Sequence, residues 1–212
     1  MTRLILVRHG ESEANFKRIC AGQSDYPLTE LGRKQAKAAG EALKDIKIDA
    51  VFSSDLSRAY DTGKAIAIHH GLSVTKDIRL REIHRGIFEG QFMTELEKKY
   101  PEQYNVLLHN KPFADIEGGE STEQVQERVF ECISEIAQNH PDQTVLIAFH
   151  ATALRYFCAK IINLPKDQII KTFPLCQNGA LTYVNYSDGK FEIVKYNDQS
   201  HLNNIKSQEI QE

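Results

Sequence analysis

Two histidines stand where apolar runs end. His9 follows Leu4-Ile5-Leu6-Val7, with Arg8 between, and His150 follows Thr144-Val145-Leu146-Ile147-Ala148-Phe149. Consecutive branched apolar residues without alternation suit strands buried on both faces, as in the middle of a parallel sheet covered by helices. Ligands of such sheets bind beyond the carboxyl ends of the strands. Both imidazoles are therefore expected at the chemically active edge, one of them beside a guanidinium. Arginine supplies a fixed cation with a fork of donors matched to phosphate or carboxylate. Histidine supplies a nitrogen that is neutral or charged near pH 7. Together they describe an anion site holding a nucleophile or a proton carrier. Taken alone, Arg8-His9-Gly10 reads equally well as a solvated turn closed by a permissive glycine.

The rest of the chain narrows the chemistry. The other six histidines (His69, His70, His84, His109, His140, His201) fall in helix ends, an insertion or the tail, where solvated roles are expected; His69, His70 and His140 suit helix C-termini. Neither strand-end histidine has H-x-H or H-E-x-x-H spacing or a carboxylate cluster in sequence, so no metal site is expected. There is no Walker loop, no G-x-G-x-x-G, and no cysteine followed six positions later by arginine. What remains is phosphoryl transfer to a histidine nitrogen without a metal.

The elements that must position these groups alternate between strand and helix. Thr29 caps a helix over 30–43, and residues 49–54 form a second strand with a polar exit. A helix from Leu56 to about His70 carries Arg58 in its first turn, and residues 72–76 form a short third strand. Ser121 and Gln124 make a capping box for a helix ending near Asn139-His140-Pro141, and a further helix over 151–162 starts directly behind His150. Residues 181–185 and 191–194 pair as a hairpin around Asp188-Gly189. The expected fold class is α/β: three layers, α/β/α, with a mainly parallel central sheet. Between about 83 and 120 the pattern changes, with glycines at 86 and 90 and a helical stretch from Phe92 to Leu108 interrupted by Pro101. This reads as an inserted helical cap with too little apolar content for its own core. From Asn197 the chain turns polar and is expected to fray, leaving one domain over 1–202 and a polar tail over 203–212.

The 212 residues suffice for a real core, and 41% hydrophobic with 26% charged residues is ordinary for a globular protein. A net charge of -3 gives no footprint for nucleic acid or membrane surfaces, so any anion site must be local. The N-terminal apolar run is too short for a signal segment, and no stretch approaches a bilayer span. Cys20, Cys132, Cys158 and Cys176 are scattered and read as buried free thiols, which implies a cytoplasmic location.

Leu6-Val7-Arg8-His9-Gly10-Glu11-Ser12 with Asn15, Ser53-Ser54-Asp55-Leu56-Ser57-Arg58-Ala59 with Thr62, and Leu80-Arg81-Glu82-Ile83 with Gly86, Glu89 and Gly90 together resemble the histidine phosphatase superfamily, the phosphoglycerate-mutase-like group. Gly118-Gly119-Glu120-Ser121, the His150 strand end, and Tyr196-Asn197-Asp198 with His201-Leu202 continue the match in order. The resemblance implies that His9 is the nucleophile that becomes phosphohistidine. Arg8, Arg58 and His150 would complete the phosphate pocket, and Glu82 would be the acid/base. Asn15 would add a phosphate donor, and Ser12 is a weaker candidate of that kind. Gly22, in the small-residue loop Cys20-Ala21-Gly22-Gln23, and Ala151, at the helix start, are the remaining substrate-binding candidates. The family pattern usually has glycine where this chain has Ala151; the phosphate could still be met by backbone N–H groups of the following helix.

The physics is consistent with these roles. In-line phosphoryl transfer needs positive donors on the equatorial oxygens, and two arginines and a second histidine supply them with no cofactor. Attack needs a free nitrogen on His9, so its other nitrogen should donate to a nearby backbone carbonyl. Glu82, when protonated, can protonate the departing alkoxide and afterwards activate water. The expected function is hydrolysis of a small phosphorylated metabolite. Glu82 is followed at once by Ile83 to Gly90, whereas phosphoglycerate mutases of the group carry a longer insertion there, and the tail resembles small bacterial phosphatases of the α-ribazole and broad-specificity types. The alternatives are a mutase and a non-catalytic sensor of a phosphorylated metabolite. Phe88, Phe92, Tyr100, Tyr104, Leu107, His109 and Phe113 are candidate linings of the leaving-group side, with Arg85 and Lys111 placed for a second anionic group. A homodimer is common in the family, and no sequence feature fixes the oligomeric state.

Overall fold

A computed structural model describes residues 1–108, 116–203, 205 and 207. Six strands form one sheet: β1 (Thr2–Arg8), β2 (Ala50–Ser53), β3 (Val74–Lys76), β4 (Thr144–Phe149), β5 (Leu181–Ser187) and β6 (Lys190–Asp198), in the order β3-β2-β4-β1-β5-β6. The first four in that order pair in parallel, and β5 and β6 add an antiparallel edge. The two apolar runs lie side by side at the centre. Their register sets Arg8 opposite Phe149, so His9 and His150 leave the sheet together.

The period of two along β1 divides the core between the faces of the sheet. Leu4 and Leu6 face the side covered by α6 (Thr122–Asn139) and α7 (Ala151–Ile161), where Val129, Ile133, Leu154 and Phe157 are fully buried. Ile5 and Val7 face α2 (Glu30–Leu43) and α3 (Ser57–Ala67), with Ala39, Leu43 and Ile66. Each such large apolar side chain contributes on the order of 1.5–3 kcal/mol by burial. The result is the expected α/β/α sandwich.

The local signals hold closely. Thr29 accepts from Gly32 N at 3.0 Å, the Ser121–Gln124 capping box is reciprocal, and Asp188 and Gly189 both take positive φ as a type I′ turn requires. The helical stretch of the insertion splits at Pro101, which opens α5 (Pro101–Leu108) after α4 (Met93–Lys99), because proline is tolerated only in the first turn. Two short helices, α1 (Glu13–Lys17) and α8 (Ile169–Thr172), complete the set among the described residues. All four cysteines are buried, and none forms a disulfide among the described residues. No helix among the described residues is long and apolar enough to cross a membrane.

Two expectations differ from the fold. The insertion has a small core after all: Phe88 and Leu96 are buried with Cys20, and Met93, Tyr100, Tyr104 and Ile116 pack on them. Phe88 and Tyr100, whose rings lie 5.2 Å apart, are therefore packing residues, whereas Phe92 is exposed. Leu107, His109, Lys111 and Phe113 lie outside the described side chains. From Asn197 on, where the sequence suggests fraying, several of the described residues are anchored. Asn197 Oδ1 accepts from Gln177 N at 2.9 Å, Leu202 is fully buried, and Gln35 Nε2 donates to Ile205 O and Ser207 Oγ. Single anchors of this kind carry no periodicity and are invisible to pattern reading.

Candidate active site

His9 is bound into the sheet edge by its own backbone, which donates to Phe149 O at 3.0 Å. The His9 and His150 rings meet edge to face with centroids 5.2 Å apart, and both are buried. His9 Nδ1 lies 2.7 Å from Gly10 O. A carbonyl can only accept, so Nδ1 carries the proton and Nε2 keeps its lone pair. Burial, reinforced by the charges of Arg58 and Arg8, holds the His9 pKa well below the ordinary imidazole value against the opposing pull of the Gly10 carbonyl. His150 is lowered in the same way, by burial first and then by Arg58, His9, Arg8 and Arg128. Its Nε2 bonds Ser54 Oγ at 2.9 Å, and its buried Nδ1 has no hydrogen-bond partner among the described residues.

Gly10 is required by packing rather than by φ. A Cβ there would stand 2.3 Å from Gly32 O, because α2 begins directly against the strand end. Gly10 N donates to Thr62 Oγ1, which in turn donates to Arg58 O, so the His9 turn and the Arg58 helix are tied together.

Two buried guanidiniums flank the pair. Arg8 Nη1 donates to the Cys176 carbonyl. Arg58, in the first turn of α3, donates from Nη1 to Ser24 O at 2.9 Å and from Nη2 to Gly22 O at 2.8 Å. Burial lowers the Arg58 pKa, with Glu82, Asp25 and Glu89 opposing. Gly22 thus supports Arg58 through its carbonyl. It has φ +51°, and a Cβ there would collide with Glu89 Oε1 at 2.0 Å.

Glu82 reaches the start of α7 immediately behind His150. Its Oε1 accepts from Ile83 N and Ala153 N at 2.9 and 3.0 Å, and its Oε2 from Thr152 N at 3.0 Å. This changes the expectation for that helix start: the N–H groups of Thr152 and Ala153 serve Glu82, leaving the backbone of Ala151 beside His150. Asn15 Oδ1 accepts from Ser12 N, Ser12 Oγ and Asn178 Nδ2, which leaves its Nδ2 as the donor. Ser12 is therefore spent on capping α1 and orienting Asn15.

Several supports were not singled out from the sequence. Asn178 Nδ2 also donates to His9 O at 3.1 Å; Asn178-Gly179 reads as a turn signal, which hides this contact. Gln23 Nε2 donates to Glu82 O at 3.0 Å. His201, expected in solvent, is half-buried and bonds Gly179 O through Nε2 at 2.9 Å. A cavity of about 440 Å³ is lined by Gln23, Arg81, His84, Glu120, Gln124 and Arg128 among others.

Residues 4–199 match the profile of the histidine phosphatase superfamily, branch 1. The chain belongs to that superfamily. It is 34% identical over 204 residues to phosphoserine phosphatase 1 of Hydrogenobacter thermophilus, covering 95% of each chain. It is 34% identical over 165 residues to the probable phosphoglycerate mutase GpmB of Cronobacter sakazakii, covering 78% of this chain and 77% of that one. The solved structure of Bacillus stearothermophilus YhfR superposes with a TM-score of 0.88 at 30% identity, over 95% of this chain and all of the other.

In this superfamily member the two depressed imidazoles link stability to pH. In the unfolded chain each histidine binds a proton as pH falls through about 6.5, whereas in the native state both stay neutral. The unfolded state therefore holds more protons in that window, and stability present above it is lost as pH falls below about 6.5. The slope should approach about 1.4 kcal/mol per pH unit for each histidine. Urea unfolding midpoints between about pH 5 and 7.5 test this; a flat profile would contradict two buried neutral imidazoles.

Proposed function

We propose that this protein is a metal-independent phosphomonoesterase that passes the phosphoryl group of a small metabolite through His9 to water. The observation that carries this reading is the locked His9 ring, with Nδ1 on the Gly10 carbonyl, burial favouring the neutral form, His150 against the ring and the charges of Arg58 and Arg8 acting on it. The phosphate oxygens would take donors from both guanidiniums and Asn15 Nδ2. With Ser54 donating to His150 Nε2, the proton on Nδ1 would serve the same oxygens. Nε2 of His9 attacks phosphorus, the ester P–O bond breaks, and Glu82 protonates the leaving alkoxide. Oε2, with one N–H donor against two on Oε1, is the oxygen with room for that proton. The resulting carboxylate then takes a proton from the water that cleaves the P–N bond, which restores both residues.

Rapid acid-free quenching in the presence of a chelator should trap a phosphohistidine on the wild-type chain. Its discharge should match the rate of phosphate release and be unaffected by phosphoglycerate. Transfer of the label to phosphoglycerate would instead establish the mutase reading, and absence of any phosphoenzyme with every ester would favour the sensor.

The leaving group is expected to carry a second anion. Arg85 lies three residues beyond Glu82, its charge is felt by Cys20 and Tyr156, and its side chain makes no ion pair among the described residues. A charge-assisted contact is worth about 1.5–3 kcal/mol, so Arg85→Ala should raise KM roughly 10- to 100-fold for carboxylate-bearing phosphomonoesters. Neutral alcohol phosphates should keep their KM. Equal effects on both would remove Arg85 from substrate recognition.

A further inference from the structure

The segment that delivers Glu82 has little backbone support of its own. Its turn is closed by Leu80 N to Asp77 O and Arg81 N to Ile78 O, and the carbonyls of Arg79, Arg81 and Glu82 are met by side chains. Arg128, from the second turn of α6, supplies most of these contacts. Its Nη1 donates to Arg79 O at 2.7 Å and Arg81 O at 3.0 Å, and its Nη2 reaches Glu82 O at 3.4 Å. The other edge of the guanidinium is held by Glu120, Nε to Oε1 and Nη2 to Oε2, both at 2.7 Å. Glu120 in turn pins the next stretch of chain: His84 N donates to its Oε2 at 3.2 Å, and Glu120 N donates to His84 O at 2.9 Å. Glu82 is thus flanked by main chain held by Arg128 on one side and by Glu120 on the other.

We propose that the Arg128–Glu120 pair is a positioning clamp for the acid/base, fixing the Glu82 backbone so that its carboxyl stays between the α7 N–H groups and the leaving oxygen. The inference rests on the reading of Glu82 as acid/base. The guanidinium and the carboxylate neutralise one another, so the clamp acts through geometry. Only arginine has the planar fork that meets a carboxylate on one edge and carbonyls on the other; a lysine ammonium cannot span both.

A displaced acid matters where the leaving oxygen needs a proton and little where it does not. The test is the pre-steady-state rate of phosphoenzyme formation with an alkyl phosphate and with nitrophenyl phosphate, in the wild type, Arg128→Lys, Glu120→Gln, Glu82→Gln and the Glu82→Gln/Arg128→Lys double variant. A misplacement of about 1 Å is worth up to roughly 100-fold, so Arg128→Lys and Glu120→Gln should slow the alkyl ester about 10- to 100-fold and the aryl ester by less than about two-fold. The double variant should be no slower than Glu82→Gln alone, because the clamp has nothing left to position. Equal slowing of both esters, or losses that multiply in the double variant, would show a general structural role and overturn the proposal. Glu120→Gln, which keeps the shape and one acceptor oxygen, answers the question should Arg128→Lys fold poorly. If Glu82→Gln itself shows no dependence on the leaving group, the acid/base reading fails and not the clamp alone.

Discussion

His9→Ala is expected to lower phosphate release by roughly 10⁴- to 10⁶-fold with every phosphomonoester, the range seen when a covalent nucleophile is removed. No neighbouring group can take its place. His150 is the neighbouring ring, at 5.2 Å, but its Nε2 is held on Ser54 Oγ, and with Ser54 donating there its Nδ1 carries the proton and has no lone pair to attack with. The fold should persist, because the backbone of residue 9 keeps its bond to Phe149 O and accepts from Asn178 Nδ2 whatever the side chain. The variant loses one donor to Gly10 O, worth about 1 kcal/mol, and gains a cavity the size of an imidazole. Added free imidazole should therefore recover part of the activity, with the phosphoryl group appearing first on the added base. Full activity in the variant, or a phosphoenzyme still formed on the chain, would end the nucleophile assignment. The same substitution removes one of the two buried neutral imidazoles and should lower the acid-side slope of stability against pH.

The parts of the molecule that could be read from the chain are those where one physical demand dominates. β1 and β4 lie between two layers of helix, so every residue of their cores is apolar and their histidine ends stand out. α2 and α6 carry side-chain caps, α6 also a clean apolar stripe, and their starts follow from those caps. The partner nitrogen of His9 could be anticipated because a nucleophilic imidazole needs its other N–H held.

Other residues were hidden for definable reasons. Glu82 sits in a turn without periodicity, and only the family resemblance marks it. Arg128 occupies a polar position on an amphipathic helix, which looks like a solvated face until three carbonyls are brought to it from far away in sequence, beside the nearby Glu120. The start of α7 looked like a free anion site, yet a carboxylate from the chain itself occupies two of its N–H groups. In each case the missing information is a long-range contact made by a single side chain.

Glu82→Gln is the second large effect, and its size should depend on the substrate. An acid that protonates an alkoxide contributes about 10²- to 10⁴-fold, so alkyl phosphates should lose turnover by that order. Nitrophenyl phosphate, whose leaving group departs as a stable anion, should form phosphoenzyme at close to the wild-type rate. Its steady-state turnover should still fall, because discharge of phosphohistidine needs the same carboxylate as a base. A burst of nitrophenolate followed by a slow phase is therefore the expected time course, and its absence would separate the acid role from the base role. The amide is not a silent replacement. With its oxygen toward Ile83 N and Ala153 N, its NH₂ group must face the Thr152 N–H, 3.0 Å away, donor against donor. That unpaired donor should cost about 1–3 kcal/mol of stability, read as a lower unfolding midpoint. Glu82→Asp retreats by one methylene and cannot serve Thr152 and Ala153 while reaching the leaving oxygen. It should lose the alkyl reaction although it keeps a titratable group, which would show that position as well as acidity makes Glu82 effective.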